Sequence, residues 1–404
     1  MKKFEIPAHY SSSIIAKIKD KRKNDDPRKK DYSPSVLDFG KVKFFIARHF
    51  GFCFGVEHAI EIAYKTVEEN GGKRIFLLSE MIHNPAVNAD LISRGVKFLM
   101  DTKGNQIVDW SDLTKDDIVM IPAFGTTIEI ENHLKEIGID PYRYNTTCPF
   151  VEKVWSRAKV IGDKGATVII HGKFKHEETR ATFSHSSENS PSIIIKDIEE
   201  AKVLGEMILN EKESIKFYET FKGRFSKNFD FKKHFKCAGV VNQTTMLATE
   251  TQEIADYFKE VMKQKFGEEH LSGHFIDSRD TLCYATNDNQ NATYELMETD
   301  ADLAIVVGGY NSSNTTHLVE LLQDKFPTYF INSDENISGT HIDYFDINRK
   351  QTVVKEGFLP DKKEVKIILT SGASCPDSLV DAVIMRLLEN FEDVKSIKEV
   401  LGKI

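Results

Sequence analysis

The feature that most constrains this chain is a recurring order of text: a short apolar run, a turn rich in Gly, Ser or Thr, then an amphipathic stretch. Phe44-Phe45-Ile46-Ala47 runs into HFGFCFG and then a segment whose Val56, Ala59, Ile60, Ala63 and Val67 share one helical face. The order returns at Ile118-Val119-Met120-Ile121 before PAFGTT, and at Val168-Ile169-Ile170 before HGKFKHEETRAT. It returns again at Ala304-Ile305-Val306-Val307 before GGYNSSNTTHL, and at Ile367-Ile368-Leu369 before TSGASCPDSLVDAV. A further amphipathic helix is predicted over 249–266. Strand, loop and helix in this alternation predict an α/β protein with parallel sheets. Its loops then collect at the carboxyl ends of the strands, where open α/β sheets bind ligands.

With 404 residues, at about 100 to 200 residues per domain, two or three domains are expected. Two stretches fall outside the pattern. Residues 1 to about 40 are dense in mixed charge and read as a solvated, partly mobile extension; Asp20, Asp25, Asp26 and Asp31 interrupt its basic run and argue against a transit peptide. Between about 199 and 236 the text is polar and aromatic without a period, and reads as an insertion packed on the surface. No segment approaches the roughly 20 apolar residues of a membrane helix. No long apolar segment follows the charges of MKKFEIPAHYSSS either, so no secretory signal and a cytoplasmic address are expected.

The net charge is −8, so no long-range field draws nucleic acid or an anionic membrane to the bulk surface. Anions would have to be held locally. Three loops offer that: Asn311-Ser312-Ser313-Asn314, Ser371-Gly372-Ala373-Ser374 and Gln243-Thr244-Thr245 each join a strand end to a helix start with small hydroxyl or amide side chains. Such loops bind phosphate through backbone N–H groups and short hydroxyls. Each of them alone is equally accounted for by helix capping. No Walker loop or dinucleotide glycine motif accompanies them.

His83 and His176 flank strand-like segments, and Glu178 stands two residues beyond His176 at a helix start. A carboxylate there is favoured by the helix dipole; in an enclosed site the same group is a candidate proton donor. Five cysteines, at 53, 148, 237, 283 and 375, lie far apart with no C-x-x-C spacing. That excludes the compact zinc and ferredoxin patterns and argues against a disulfide framework. Cys53, Cys148 and Cys283 sit in loop contexts, where three thiolates converging on a metal and three small buried hydrophobes are both open readings.

Eight motifs, in the order GFCFGVEHAI, IHNPAVN, TTCPFVEKVW, HGKFKHEETRAT, VNQTTM, LCYATNDNQ, NSSNTTHL and SGASCPDSLV, run from Lys43 to about Leu388. In this set and order the chain resembles the 4-hydroxy-3-methylbut-2-enyl diphosphate reductases, which complete the non-mevalonate isoprenoid route. The resemblance implies three small parallel-sheet α/β domains around a central cavity holding one [4Fe-4S] cluster. Its ligands would be Cys53, Cys148 and Cys283, leaving one iron open; Cys237 and Cys375 match no ligand position. The implied divisions are an extension at 1–40 and domains at 41–147, 148–275 (with the insertion) and 276–375, each of the three carrying one of these cysteines, then a helical segment at 376–404.

The resemblance further implies a reductive dehydroxylation giving isopentenyl and dimethylallyl diphosphate, with Glu178 as proton donor and His176 and Thr244 beside the leaving hydroxyl. The diphosphate would be held by His83, Ser312, Ser313, Asn314 and Ser374, with His176 and Thr244 also touching substrate. Where many bacterial members carry a His, this chain has Phe124 in PAFGTT, the plant and cyanobacterial version. That subgroup implies ferredoxin or flavodoxin as electron donor. Two other classes stand beside this reading. One is a non-catalytic protein holding metal or diphosphate on the same scaffold, which would have no use for Glu178 with Thr244. The other is a radical or hydratase iron-sulfur enzyme, which the missing C-x-x-x-C-x-x-C spacing disfavours.

Overall fold

Residues 4–210, 214–278, 281 and 283–403 are described by a computed structural model. Met1 to Lys3 of the extension, 211–213 in the insertion and Leu282 of the LCYATNDNQ motif lie outside the described residues. The chain divides into two compact units: Met1–Glu61 with Ile82–Ala89 and Tyr284–Ile404, and Ile62–Met81 with Asp90–Cys283.

The first unit is built on a five-stranded sheet in the order Ser35–Asp38, Val42–Ile46, Val365–Ser371, Leu303–Val307, Thr328–Ile331. All neighbours are parallel except the antiparallel first pair. The inner strands read as continuous apolar runs because both faces are covered, and Leu303–Val307 is buried at all five positions. Val42–Ile46, assigned by its place in the chain to a domain at 41–147, hydrogen-bonds to Val365–Ser371 instead. Periodicity identifies a strand but not its partner. A polar antiparallel ribbon, Ile337–Ser338 with His341–Asp346 and Gln351–Glu356, also belongs to this unit.

The second unit holds two parallel sheets, Lys97–Phe98, Ile75–Leu77, Ile118–Met120, and Ser192–Ile195, Thr167–His171, Ala238–Asn242, Phe275–Ile276. The three parallel sheets bear out the α/β class. The predicted helix at 249–266 is found as Ala248–Phe266. Among the described residues no helix is long and apolar enough to cross a membrane.

The extension is not a solvated tail. It forms the helix Ile15–Asp25, and Tyr10, Ile14, Ile15 and Ile18 join the buried core of the first unit. Its mixed charge hid three isoleucines on one face. The helix is capped from a distant residue: the Asp381 carboxylate accepts from Ser12 Oγ at 2.7 Å and from the N–H groups of Ser13, Ile14 and Ile15 at 2.7, 2.9 and 3.0 Å. A carboxylate at a helix N-terminus satisfies donors the helix leaves open and meets the positive end of its dipole. One turn on, Lys19 Nζ pairs with Asp377 at 2.7 Å. Gly51 lies beneath that pair at φ +77°, where a Cβ would stand 2.2 Å from the Asp377 oxygen.

Close to the extension lies His49, whose ring meets that of Tyr32 at 5.4 Å. Burial, then the charges of Arg48 and Lys29, push its pKa down to about 4. The unfolded chain, near the ordinary imidazole value of about 6.5, therefore binds a proton that the native state refuses between pH 6.5 and 4. Stability is full above that window and falls as pH drops through it. His49→Asn is expected to flatten this part of the profile, read as the difference in urea midpoint between pH 7 and pH 5; an unchanged difference would remove His49 as a cause.

The insertion is likewise corrected. It contains helices Ile198–Leu209, Ser214–Thr220 and Phe231–His234, and its aromatics are core. Phe217 is fully buried, with the rings of Phe221, Phe225, Phe229, Phe231 and Phe235 at 5.0 to 5.8 Å. Replacing a buried Phe with Ala costs about 3 to 5 kcal/mol. Phe217→Ala is expected to lower the urea midpoint by a corresponding amount, and a shift below a third of that would mean the cluster collapses around the gap.

Candidate active site

In each sheet, parallel pairing delivers neighbouring loops to the same edge. In the first unit Ile46 is in register with Leu369, and Val307 with Ser371. Three loops therefore emerge side by side: the one carrying Cys53, the one at 308–314 and the one at 372–375. They are tied at Ala373. Its carbonyl accepts from the Cys53 N–H at 3.2 Å, and its N–H donates to Asn314 Oδ1 at 2.9 Å.

Ser312 caps the helix Ser313–Gln323, its Oγ accepting from Thr315 N–H at 3.3 Å and from Thr315 Oγ1 at 2.9 Å. Capping and anion binding are compatible, since the hydroxyl keeps its own proton to donate. Ser374 Oγ donates to the His83 carbonyl at 3.2 Å. A Cβ on Gly309 would stand 2.2 Å from that same carbonyl, so only glycine lets the two segments approach. His83, Ser312, Ser313, Asn314 and Ser374 are all buried, and Asn314 Nδ2 is a buried donor without a hydrogen-bond partner. Buried hydroxyl and amide donors grouped in this way suit an oxyanion.

In the second unit His171 is in register with Asn242, which brings the loop of Glu178 beside the loop of Thr244. Glu178 is 1 % exposed, and its Oε1 accepts from the Thr244 N–H at 2.5 Å. His176 is the N-cap of the helix Glu177–Ser187, and its Nδ1 accepts from the Glu178 N–H at 3.2 Å. With Nδ1 as acceptor, the neutral ring carries its proton on Nε2. Phe124 sets its ring edge-on to His176 at 5.7 Å. It holds the imidazole's face and supplies no donor.

Gln243, which the sequence places in one of the three anion-binding loops, binds the two loops together. Its Oε1 accepts from Thr179 Oγ1 at 2.9 Å and from Lys173 N–H at 3.1 Å, while Nε2 donates to Thr245 Oγ1 at 2.7 Å. Its amide is fully buried beside a strand end. Sequence reasoning passed over Thr315, which lies under Gly308 and Gly372, where an added Cβ would stand 2.7 and 1.9 Å from its hydroxyl.

The five cysteines fall into two kinds. Cys53, Cys148 and Cys283 each directly precede a helix: Phe54–Glu69, Pro149–Asp163 and Tyr284–Met297. Cys53 and Cys148 take the first backbone bonds of their helices, from Glu57 at 2.9 Å and from Glu152 at 3.2 Å. A helix N-terminus favours a thiolate. Cys237 and Cys375 differ: burial pushes both thiols up, Cys375 to about 12. Thiols are the donor chemistry that a soft metal group takes. Among the described residues no three His, Cys, Asp or Glu side chains are grouped as a metal site.

The model of the LytB protein family matches residues 44–388. The chain belongs to the LytB family. Relatives named 4-hydroxy-3-methylbut-2-enyl diphosphate reductase include those of Prochlorococcus marinus subsp. pastoris, 39% identical over 94% of this chain and 90% of the relative. The protein of that name from Picosynechococcus is 37% identical over 95% and 90%. The LytB fold is also seen in two solved structures. One, of (E)-4-hydroxy-3-methyl-but-2-enyl diphosphate reductase, has a TM-score of 0.50 at 24% identity, over 86% of this chain and 99% of that one. The other, the E-1-hydroxy-2-methyl-but-2-enyl-4-diphosphate reductase from Plasmodium falciparum, has 0.61 at 23%, over 85% and 87%.

Proposed function

We propose that this LytB-family chain is a 4-hydroxy-3-methylbut-2-enyl diphosphate reductase. It takes the allylic hydroxy-diphosphate, two electrons and two protons to isopentenyl or dimethylallyl diphosphate and water. One C–O bond breaks, one C–H bond forms, and the departing oxygen leaves as water. Near-full-length similarity to relatives of that name supports the reaction class. The structural observation that carries the reading is the buried Glu178 carboxyl fixed by the Thr244 N–H.

Cys53, Cys148 and Cys283 would hold a [4Fe-4S] cluster, one per chain. When bound, such a cluster supplies electrons and, at the iron without a protein ligand, a Lewis acid. The chain's own residues do the rest. His83, Ser312, Ser313, Asn314 and Ser374 grip the diphosphate through hydroxyl, amide and imidazole donors, anchoring one end of the substrate so that its hydroxyl end is oriented. Glu178 gives a proton to the departing oxygen, because hydroxide is a poor leaving group unless protonated as it goes. The Thr244 N–H fixes which way the carboxyl points, and Thr244 and His176 complete the hydrogen-bond network at the hydroxyl. Electrons come from a one-electron carrier of the ferredoxin or flavodoxin type.

Anaerobic purification, iron and sulfide quantification, and assay of the hydroxy-diphosphate with dithionite as reductant test the reading. About four irons per chain and formation of both products are expected; an iron-loaded protein without turnover would overturn it.

A further inference from the structure

The first unit contains a cavity of about 340 Å³ beside Cys53. Its wall includes Cys53, Phe54 and Glu57 on one side and Tyr284 and Asp288 on the other, and its rim is made by the extension, through Lys19, Lys23 and Lys29. Arg48 lines it too. The Arg48 side chain is 6 % exposed, its Nε has no hydrogen-bond partner, and the nearest carboxylate, of Asp26, stands 3.8 Å away. Lys23 and Lys29 are exposed, and neither joins a salt bridge among the described residues. Within 17–31 there are eight Lys or Arg against four Asp, in a chain whose net charge is −8. Asp26, Glu57 and Asp288 also line the cavity and Asp377 pairs with Lys19, so the surplus of positive charge lies on the exposed extension beside Cys53 rather than within the cavity.

That concentration has a physical use only for a partner that is itself anionic. Opposite charges steer encounter and raise association rates. Transient redox partners meet through small interfaces, and because electron tunnelling decays steeply with distance, their redox centres must come close. The extension is held rigidly enough to present such a surface: Asp381 caps its helix and Asp377 fixes Lys19.

We propose that the cationic mouth over Cys53, formed by Lys19, Lys23, Lys29 and Arg48, is the docking surface for an acidic one-electron carrier protein. The proposal rests on the reductase reading above. In each docking event the reduced carrier loses one electron to the protein and leaves oxidised. Two events supply the two electrons of one turnover, and solvent supplies the two protons.

The test is the double variant Lys23→Glu/Lys29→Glu, loaded with iron and driven either by dithionite or by a reduced acidic [2Fe-2S] ferredoxin. Dithionite-driven turnover and iron content are expected to match the unmodified protein. The KM for ferredoxin at low salt should rise about tenfold or more, and the salt dependence of ferredoxin-driven turnover should flatten. The milder Lys23→Gln/Lys29→Gln is expected to fall between the two. An unchanged KM for ferredoxin with dithionite turnover intact would overturn the docking surface, as would equal losses with both reductants, which would mean that the extension acts on the site itself. Absence of turnover with dithionite in the unmodified, iron-loaded protein would instead overturn the reductase reading.

Discussion

Glu178→Gln lowers kcat by about 100-fold or more while leaving iron content at that of the unmodified protein. The substitution preserves shape and keeps an amide oxygen able to accept the Thr244 N–H, now made by Glu178 Oε1 at 2.5 Å, so the two loops stay joined. Gln243, which knits those loops through Thr179 and Lys173, is untouched. What disappears is the only function an amide cannot supply, donation of a carboxyl proton at the moment the C–O bond breaks. Single-turnover measurement separates the outcomes: a normal rate removes Glu178 from the chemistry, and loss of iron would recast it as a structural group.

The second large effect divides the cysteines. Cys53→Ser, Cys148→Ser and Cys283→Ser are each expected to lose the visible absorption of the cluster and most of the iron, together with all measurable turnover. Cys237→Ser and Cys375→Ala should keep both. Alanine is the right replacement at Cys375, which is fully buried, because a serine hydroxyl there would be desolvated at a cost of about 1 to 3 kcal/mol. The division follows from placement. Three thiols stand where a helix begins, and the other two are pushed toward the protonated form by burial. Iron loss in Cys237→Ser would show that the ligand set was drawn wrongly.

The loops that build the site were legible because each follows an apolar run that can be recognised by itself. The Glu178 and Thr244 loops, and those of Ser312 and Ser374, were identified before any pairing was known, and parallel register then placed each two side by side. Other features depend on long-range partners and left no local signature. Asp381 caps a helix more than three hundred residues away, and nothing near Ser12 or Ile15 announces it. The aromatics around Phe217 lack a period because short helices and turns feed that core from several directions. The ribbon His341–Asp346 with Gln351–Glu356 is only partly buried, so it carries no clear alternation. Phe124 was noticed as a departure, but its contact with His176 depends on a neighbouring loop and could not be read.

The discontinuous make-up of the first unit also sets an order of events during synthesis. A chain emerging at about 5 to 20 residues per second exposes Val42–Ile46 early, yet the strand on which it pairs, Val365–Ser371, comes last in its sheet. The second unit draws on no residue beyond Cys283 and can close first. Until residue 373 arrives, the backbone at Cys53 lacks the carbonyl that holds it. The Cys53 loop is therefore fixed late, only in chains whose strand Val365–Ser371 is already in place, and a nascent or truncated product would carry this thiol on an unanchored loop.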